Sequence, residues 1–463
     1  MKTKGILLAS MLALSPIVAA EKSLQQQIDE LSDRVDYNEL QATLNKVKFG
    51  LDFNTSMNNF FVNNNGNSST QANKWLMGLY LNMNADITKY AKFTGRLAMT
   101  KAFGDQSLMS SNSSMIPIDA GKYVGGGSAV YVERAYVDLF LGNYWALTVG
   151  RLPGTEGPGY NLRNGAARMS TYPALLANAL GDGGVVTFKP YTNAALRVGF
   201  AKVYQPLYET ENSGAGSIFR ESGGYSQADM NLMFATFETP FLPKSAGKSL
   251  AMLSYAYVSN YSLPGANISN ALNNINDGSG SSLALSLPRS DSINLGDIAY
   301  TNLHLESYNL LGSGLNWFAS FSWANTTKRE NFFGPTTSLP IPDEPAASPT
   351  GSLIFDLASS YALHVGVRYD FGSHFKLGYE YFHGSKNWYG FSRVSANDPL
   401  NIRNTRGDVR DVYAIFQLDQ FQFFRLSYTH LKRNYKTPDS PSAPVATDIT
   451  TRNLSLAYIL RLR

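Results

Sequence analysis

Residues 363–371 read Leu-His-Val-Gly-Val-Arg-Tyr-Asp-Phe. Leu363, Val365, Val367, Tyr369 and Phe371 alternate with His364, Gly366, Arg368 and Asp370, so an extended chain here has one apolar and one polar face. The same period of two recurs from Leu79 to Ile87, from Arg134 to Leu141 and from Leu454 to Leu462. These runs are longer than the ~5–6 residues usual for strands of globular sheets.

Sixteen segments of this kind follow residue 46. The first eight lie near 47–60, 74–89, 90–103, 129–142, 144–152, 183–190, 193–205 and 226–239. The second eight lie near 248–260, 298–310, 313–326, 358–371, 374–386, 408–419, 422–433 and 450–463. Odd-numbered connections are long (61–73, 104–128, 153–182, 206–225, 261–297, 327–357, 387–407 and 434–449), and even-numbered ones are short. Long connections at one end and tight turns at the other are the pattern of an outer-membrane barrel. The fold class expected is therefore all-β: a transmembrane antiparallel β-barrel of about sixteen strands, preceded by a short N-terminal helix or coiled coil. Aromatic residues flank the tight turns (Tyr90, Tyr144, Trp145, Tyr191, Phe241, Phe371, Phe375, Phe421 and Phe423), as expected of a girdle at a membrane–water interface.

Composition points the same way. The 463 residues contain 16% charged and 13% aromatic residues, no Cys and five His. Without Cys there is no disulfide framework, thiolate metal site or cysteine nucleophile. A formal charge of +4 on so long a chain does not suggest a nucleic-acid partner. No histidine cluster has metal spacing and no glycine-rich phosphate loop follows a strand, so no metal and no cofactor is expected. No catalytic residue is assigned. The nearest approach to a hydrolase pair is His383, toward the external end of its strand, with Asp408 nearby, and the reading expected is not an enzyme.

Lys2 and Lys4, an apolar run over residues 5–14 and the small residues Val18, Ala19 and Ala20 predict a signal peptide, 1–20, cleaved after Ala20. Residues 21–47 then predict a periplasmic helix: Leu24, Ile28, Leu31 and Val35 alternate spacings of four and three, the seam of a coiled coil. The barrel would occupy 48–463, in the outer membrane of a Gram-negative bacterium.

The polar strand faces should line the lumen. That parity points Arg96, Arg134, Arg197, Arg368, Lys376 and Arg425 inward, against Asp86, Asp138 and Glu380. Rows of arginine would favour anions mildly. The third long connection, 153–182, is dense in Gly and Pro and holds Glu156, Arg163, Arg168 and Asp182 with Tyr160 and Tyr172. General porins fold a loop inward at this position. By that analogy the four charged residues would set a constriction that the two tyrosines shape. Segments 261–297 and 327–357 read as exposed loops.

Two stretches carry a resemblance. One is Gly150-Arg-Leu-Pro-Gly-Thr-Glu-Gly-Pro-Gly-Tyr-Asn-Leu-Arg-Asn-Gly165 with Thr171-Tyr-Pro-Ala-Leu-Leu176. The other is Glu380-Tyr-Phe-His-Gly-Ser-Lys-Asn-Trp388, with Asp398-Pro-Leu-Asn401 and Arg406-Gly-Asp408. They resemble an uncharacterised, porin-like family of Gram-negative outer-membrane proteins, a domain of unknown function. The resemblance implies a signal peptide, a helical coil and a barrel over nearly the whole chain. One departure is the ending Leu462-Arg463 where outer-membrane barrels usually end in an aromatic residue. The function expected is a channel for passive diffusion of small polar solutes or ions, with outer-membrane lipid around it and a homo-oligomer, a trimer, fitting the class. The alternative is a structural or adhesive barrel with an occluded lumen.

Overall fold

The computed structural model describes residues 47–103, 130–165, 168–204, 230–264, 292–328, 359–392, 395–436, 444 and 446–462. The signal peptide and the helix expected over 21–47 thus lie outside the described residues, apart from Val47. So do 265–291 of segment 261–297 and 329–357 of segment 327–357. The chain divides into Met1–Lys48 and Phe49–Arg463. The second unit contains all but the first two residues of the barrel.

Sixteen strands form one closed sheet. They are β1 (Val47–Asn64), β2 (Asn67–Thr88), β3 (Ala91–Ala102), β4 (Tyr131–Leu141), β5 (Trp145–Arg151) and β6 (Asp182–Tyr191). Next come β7 (Ala194–Tyr204), β8 (Met230–Thr239), β9 (Lys248–Pro264), β10 (Ser292–Tyr308) and β11 (Leu315–Lys328). The last are β12 (Ser359–Phe371), β13 (Phe375–Gly384), β14 (Gly407–Gln417), β15 (Gln422–Tyr435) and β16 (Ala446–Leu462). Neighbours in sequence pair antiparallel, and β1 closes on β16 from Leu51 opposite Leu462 to Asn64 opposite Ile449. Closure leaves no unpaired edge, which is the condition for a sheet to sit in hydrocarbon.

One connection differs from the expectation. The segment 61–73 is not a long loop, because β1 and β2 run on to Asn64 and Asn67 and meet in a two-residue turn. Asn65 and Gly66 hold φ values of 49° and 90°, the left-handed pair that a tight hairpin requires. Strict alternation of long and short connections therefore begins after this hairpin.

The exposure pattern inverts that of a soluble protein. Along β16, Thr451, Asn453 and Ser455 are buried while Leu454 and Leu456 are exposed. On β15, Arg425, Ser427 and Thr429 are buried between exposed Phe424, Leu426 and Tyr428. Apolar side chains face outward and polar ones inward, the arrangement that hydrocarbon on the outside and a polar lumen select. Tyr90, Tyr144, Trp145, Tyr191, Phe241, Phe371 and Phe421 are exposed beside the tight turns, as the girdle requires. Phe423 is not part of it: the ring is buried in the lumen with Tyr413, Ile415, Ala457 and Ile459.

Candidate functional site: a lumen crossed by two loops

The connection after β5, residues 152–181 (loop L3), starts at the end of the barrel that bears the long connections and crosses the lumen. Its first anchor is Arg96 on β3. The guanidinium is buried, with Glu156 at 2.7 Å, Asp52 of β1 at 3.1 Å and Glu133 of β4 at 3.5 Å. The Arg96 guanidinium also lies over the Tyr80 ring, 4.1 Å from its centroid. The neighbouring Arg134 donates to the Thr155 carbonyl and hydroxyl, both at 2.8 Å, and to the Met169 carbonyl. Thr155 in turn donates to Glu133. Glu133 and Arg134, adjacent in sequence, are both buried because the β3–β4 register slips between Arg96 and Leu97. A bulge of this kind re-aims a side chain that simple alternation would send outward.

Glu156 itself sits in the left-handed region at φ 59°, which costs a non-glycine residue about 1 kcal/mol or more. Burial raises the pKa of its carboxyl, and Arg96 with Arg134 more than offsets this, holding it below the ordinary 4.5. The ion pair and the Asn178 amide oxygen, which accepts from the Glu156 N–H at 3.2 Å, keep it there.

On the far side, L3 meets the opposite wall. Arg163 pairs with Asp411 of β14 at 3.3 Å. Its guanidinium is buried, which works against its charge, yet Asp411 and Glu380 keep its pKa raised. Wall arginines grip the loop backbone: Arg368 donates to the Leu162 carbonyl at 2.7 Å, and Arg425 to the Arg163 carbonyl at 3.1 Å and the Asn164 amide oxygen at 2.7 Å. Arg461 donates to the Asn164 carbonyl, and the Asn161 amide donates to Tyr308 Oη at 2.6 Å. Near the tight-turn end, Arg168 and Arg197 share Glu238 at 3.2 and 2.9 Å.

The connection after β13, residues 385–406 (loop L7), folds in against L3. Asn178 and Ser392 form a parallel bridge between the two loops. Arg403 pairs with Asp398 at 3.3 Å, donates to the Gly159 carbonyl at 3.1 Å and lies over the Tyr160 ring. Tyr160 Oη shares a hydrogen bond with Ser395 Oγ at 2.9 Å, and burial pushes the phenol up to about 12. Trp388, Tyr389, Phe391 and Ile402 of L7 join Leu152, Tyr172, Leu175 and Leu176 of L3 in one apolar cluster. Walls of β6–β15 complete it, among them Phe234, Tyr261, Tyr300 and Phe382. Tyr172 meets Phe234 edge-on, with ring centroids 4.9 Å apart.

The two sides of the lumen therefore differ in chemistry. Toward β1, β15 and β16 there remains a small polar crevice of about 10 Å³, room for a single water. Ser56, Asn58, Arg163, Asp398, Arg425 and Asn453 are among its lining residues.

Of the residues singled out in the sequence, Glu156, Arg96 and Arg134 come together at one anchor. Arg163, Arg368 and Arg425 come together at the other, and Arg168 and Arg197 meet at Glu238. Asp182 stands apart: it pairs with Arg151 at 2.8 Å in an exposed position on the rim. Asp138 accepts from Thr148, and Asp86 is exposed. Sequence parity did not reveal Asp52, Glu133, Asp411 or the L7 pair Arg403–Asp398. The aromatic run Trp388-Tyr389-Gly390-Phe391 was the available signal that L7 is buried. His383 Nδ1 lies 3.0 Å from Asp408 Oδ1 on the outer face of β13–β14, and Tyr381 Oη donates to the same oxygen at 2.6 Å.

A family model covers residues 67–452, both loops included, and is described as a protein of unknown function, DUF3373. The chain belongs to the DUF3373 family. No curated protein matches this DUF3373 chain in sequence. Among solved structures it is similar to OprB of Pseudomonas putida at 12% identity, over 92% of this chain and 97% of that one, with a TM-score of 0.48. It is similar to OmpF of Salmonella typhi, solved with daunomycin, at 10% identity over 90% and 99%, TM-score 0.46. Similarity to OmpT of Vibrio cholerae is at 12% identity over 89% and 97%, TM-score 0.41. The DUF3373 barrel is a closed antiparallel one of sixteen strands.

Proposed function

We propose that this DUF3373 protein is an outer-membrane channel of restricted width, passing ions and the smallest polar solutes along the β15–β16–β1 side of its lumen, with a mild preference for anions. The observation that carries the reading is the polar crevice beside L3, lined by Arg163, Arg425, Ser56, Asn58 and Asn453, opposite an apolar seal. Arg425 supports the anion preference, because its hydrogen bonds go to a carbonyl and an amide oxygen, whereas Arg163 and Arg403 each face a carboxylate. Passage is passive, needs no cofactor and involves no covalent step. Residues 1–20 serve as the signal peptide and 21–47 as a periplasmic helix. A trimer is the assembly proposed.

The test is single-channel current in a planar bilayer under a salt gradient. Small conductance steps are expected, with a reversal potential on the anion side that shifts toward zero in Arg425→Gln. A second reading, a structural or adhesive barrel, is favoured by the apolar cluster that joins both loops to the wall. Silence from protein that still migrates as a folded, heat-modifiable barrel would select it.

A further inference from the structure

The outer face of β14–β16 carries a feature that the channel does not use. Register places Arg410 opposite His430 and His430 opposite Arg452, so three basic side chains form one row across three adjacent strands. Lys432 stands on the next level, two residues further along β15. Arg410, Lys432 and Arg452 are exposed and share the parity of the lipid-facing side chains. The level beneath the row is Val412, Tyr428 and Leu454, and the one below that Ala414, Leu426 and Leu456. The row thus caps an apolar band. Arg452 stands ten residues up β16 from Leu462, which at about 3.3 Å per residue and ~40° tilt is roughly the full height of such a band.

Cross-strand neighbours lie about 5 Å apart, and like charges placed so repel. Among the described residues Arg410, Lys432 and Arg452 form no ion pair, and the acid opposite Lys432, Asp408, offsets only part of their charge. The adjacent acid, Asp408, is engaged by Tyr381 and His383. Asp448 is four residues further up β16. A row of cations at the edge of an apolar band, at the end of the barrel where the long connections emerge, complements an anion that is itself held at the membrane surface. Arginine in particular matches phosphate geometry.

We propose that this row is a binding site for the phosphate of a glycolipid of the outer leaflet, with its acyl chains lying on the Val412–Tyr428–Leu454 and Ala414–Leu426–Leu456 levels. The site rests on the outer-membrane placement with the long connections outside. It is independent of whether the lumen conducts. Bound lipid would fix the barrel's depth and supply counter-charge beyond that of Asp408.

The experiment uses the full chain refolded in detergent, free of native lipid. Native mass spectrometry would score retention of diphosphorylated lipid A, of the same lipid dephosphorylated, and of lipid A in the presence of an equal concentration of inorganic phosphate. Retention of lipid A is expected, weakened roughly tenfold or more by dephosphorylation or by Arg410→Gln with Arg452→Gln, and unchanged by inorganic phosphate. Equal retention of the dephosphorylated lipid, or undiminished retention by the double variant, overturns the site. Displacement by inorganic phosphate overturns the lipid as its occupant. If the double variant does not migrate as a folded, heat-modifiable barrel, the comparison of the two lipids on the wild-type chain decides alone. A wild-type chain that fails to insert into vesicles at all would overturn the membrane placement, and the site with it.

Discussion

Arg96→Met removes the guanidinium that Asp52, Glu133 and Glu156 share, while keeping an unbranched stem of similar bulk. Arg96 is 2% exposed, so the carboxylates left behind gain little from solvent. Removing one partner of a buried ion pair costs about 3–5 kcal/mol. Asp52 keeps the Asn82 amide at 3.1 Å and Glu133 keeps the Thr155 hydroxyl. The burden therefore falls on Glu156, whose side chain is tied to Arg96 and whose backbone is already strained. Converted at about 1.4 kcal/mol per tenfold, the docked state of L3 loses between about a hundredfold and a few thousandfold of its preference. Arg134 would still hold the Thr155 and Met169 carbonyls. Planar-bilayer recordings of Arg96→Met should show larger and noisier conductance steps than wild type. Adding Glu156→Gln should recover part of the loss, since it removes a charge that no longer has its cation. If Arg96→Met migrates as a folded barrel and its steps match wild type in size and noise, the anchor does not control passage and the reasoning fails.

Three further outcomes follow from the same geometry. The pKa of Glu156 is depressed, so the docking it contributes is fully present above the ordinary 4.5 and is lost as pH falls through its lower folded value. Conductance should be flat from neutral pH to about 5 and rise only in stronger acid, and a rise already complete at pH 5 would contradict the ion pair. In Gly157→Ala the added Cβ would stand 1.7 Å from the Tyr172 carbonyl oxygen, a backbone atom that cannot swing aside. L3 should then fail to close on itself, giving larger steps without loss of the heat-modifiable barrel, and wild-type steps would show that the close approach is dispensable. Leu456→Arg puts a charge on the apolar face and should lower barrel stability in vesicles by about 2–4 kcal/mol in urea titration, whereas an unchanged midpoint would mean that Leu456 does not face lipid.

Strand periodicity carried most of the barrel because its two solvents, lipid and lumen, each act on alternate residues. Ends read from Leu363–Phe371 and its counterparts agree with the strands to within a few residues, except where strands run on past the apolar band. There the selection for alternation stops: Asn63, Asn64, Ser68 and Ser69 pair in a hairpin although none is apolar, and the signal was the Asn65–Gly66 turn. Parity placed Arg96, Arg134, Arg368 and Arg425 inward, but not the partners they meet. Asp52, Glu133 and Asp411 become partners through strand order, a bulge and a loop that returns across the lumen, which are facts of register and tertiary folding. Asp182 shows the reverse case. Counted with L3 by position, it is the first residue of β6 and turns outward to Arg151.

The division of the lumen bears on what L3 and L7 are for. Along β6–β13, apart from the contact of Arg168 with Glu238, the loops pack Leu, Trp, Tyr and Phe against the wall, which costs no desolvation of charge. Toward β1 and β14–β16 the same loops present Arg163 and Asp398 to walls bearing Asp411, Arg425, Asn58 and Asn453. Buried ion pairs of this type are often no more stabilising than apolar residues of the same volume. A plug selected for closure alone would have extended the apolar side across the whole lumen. Beside the crevice Arg163 is paired with Asp411 while Arg425 rests on neutral acceptors, which fits the proposed passage of water and ions on that side. If the proposed channel conducts, Glu156 and its strained backbone are the latch to test, and the polar wall is the path that it would guard.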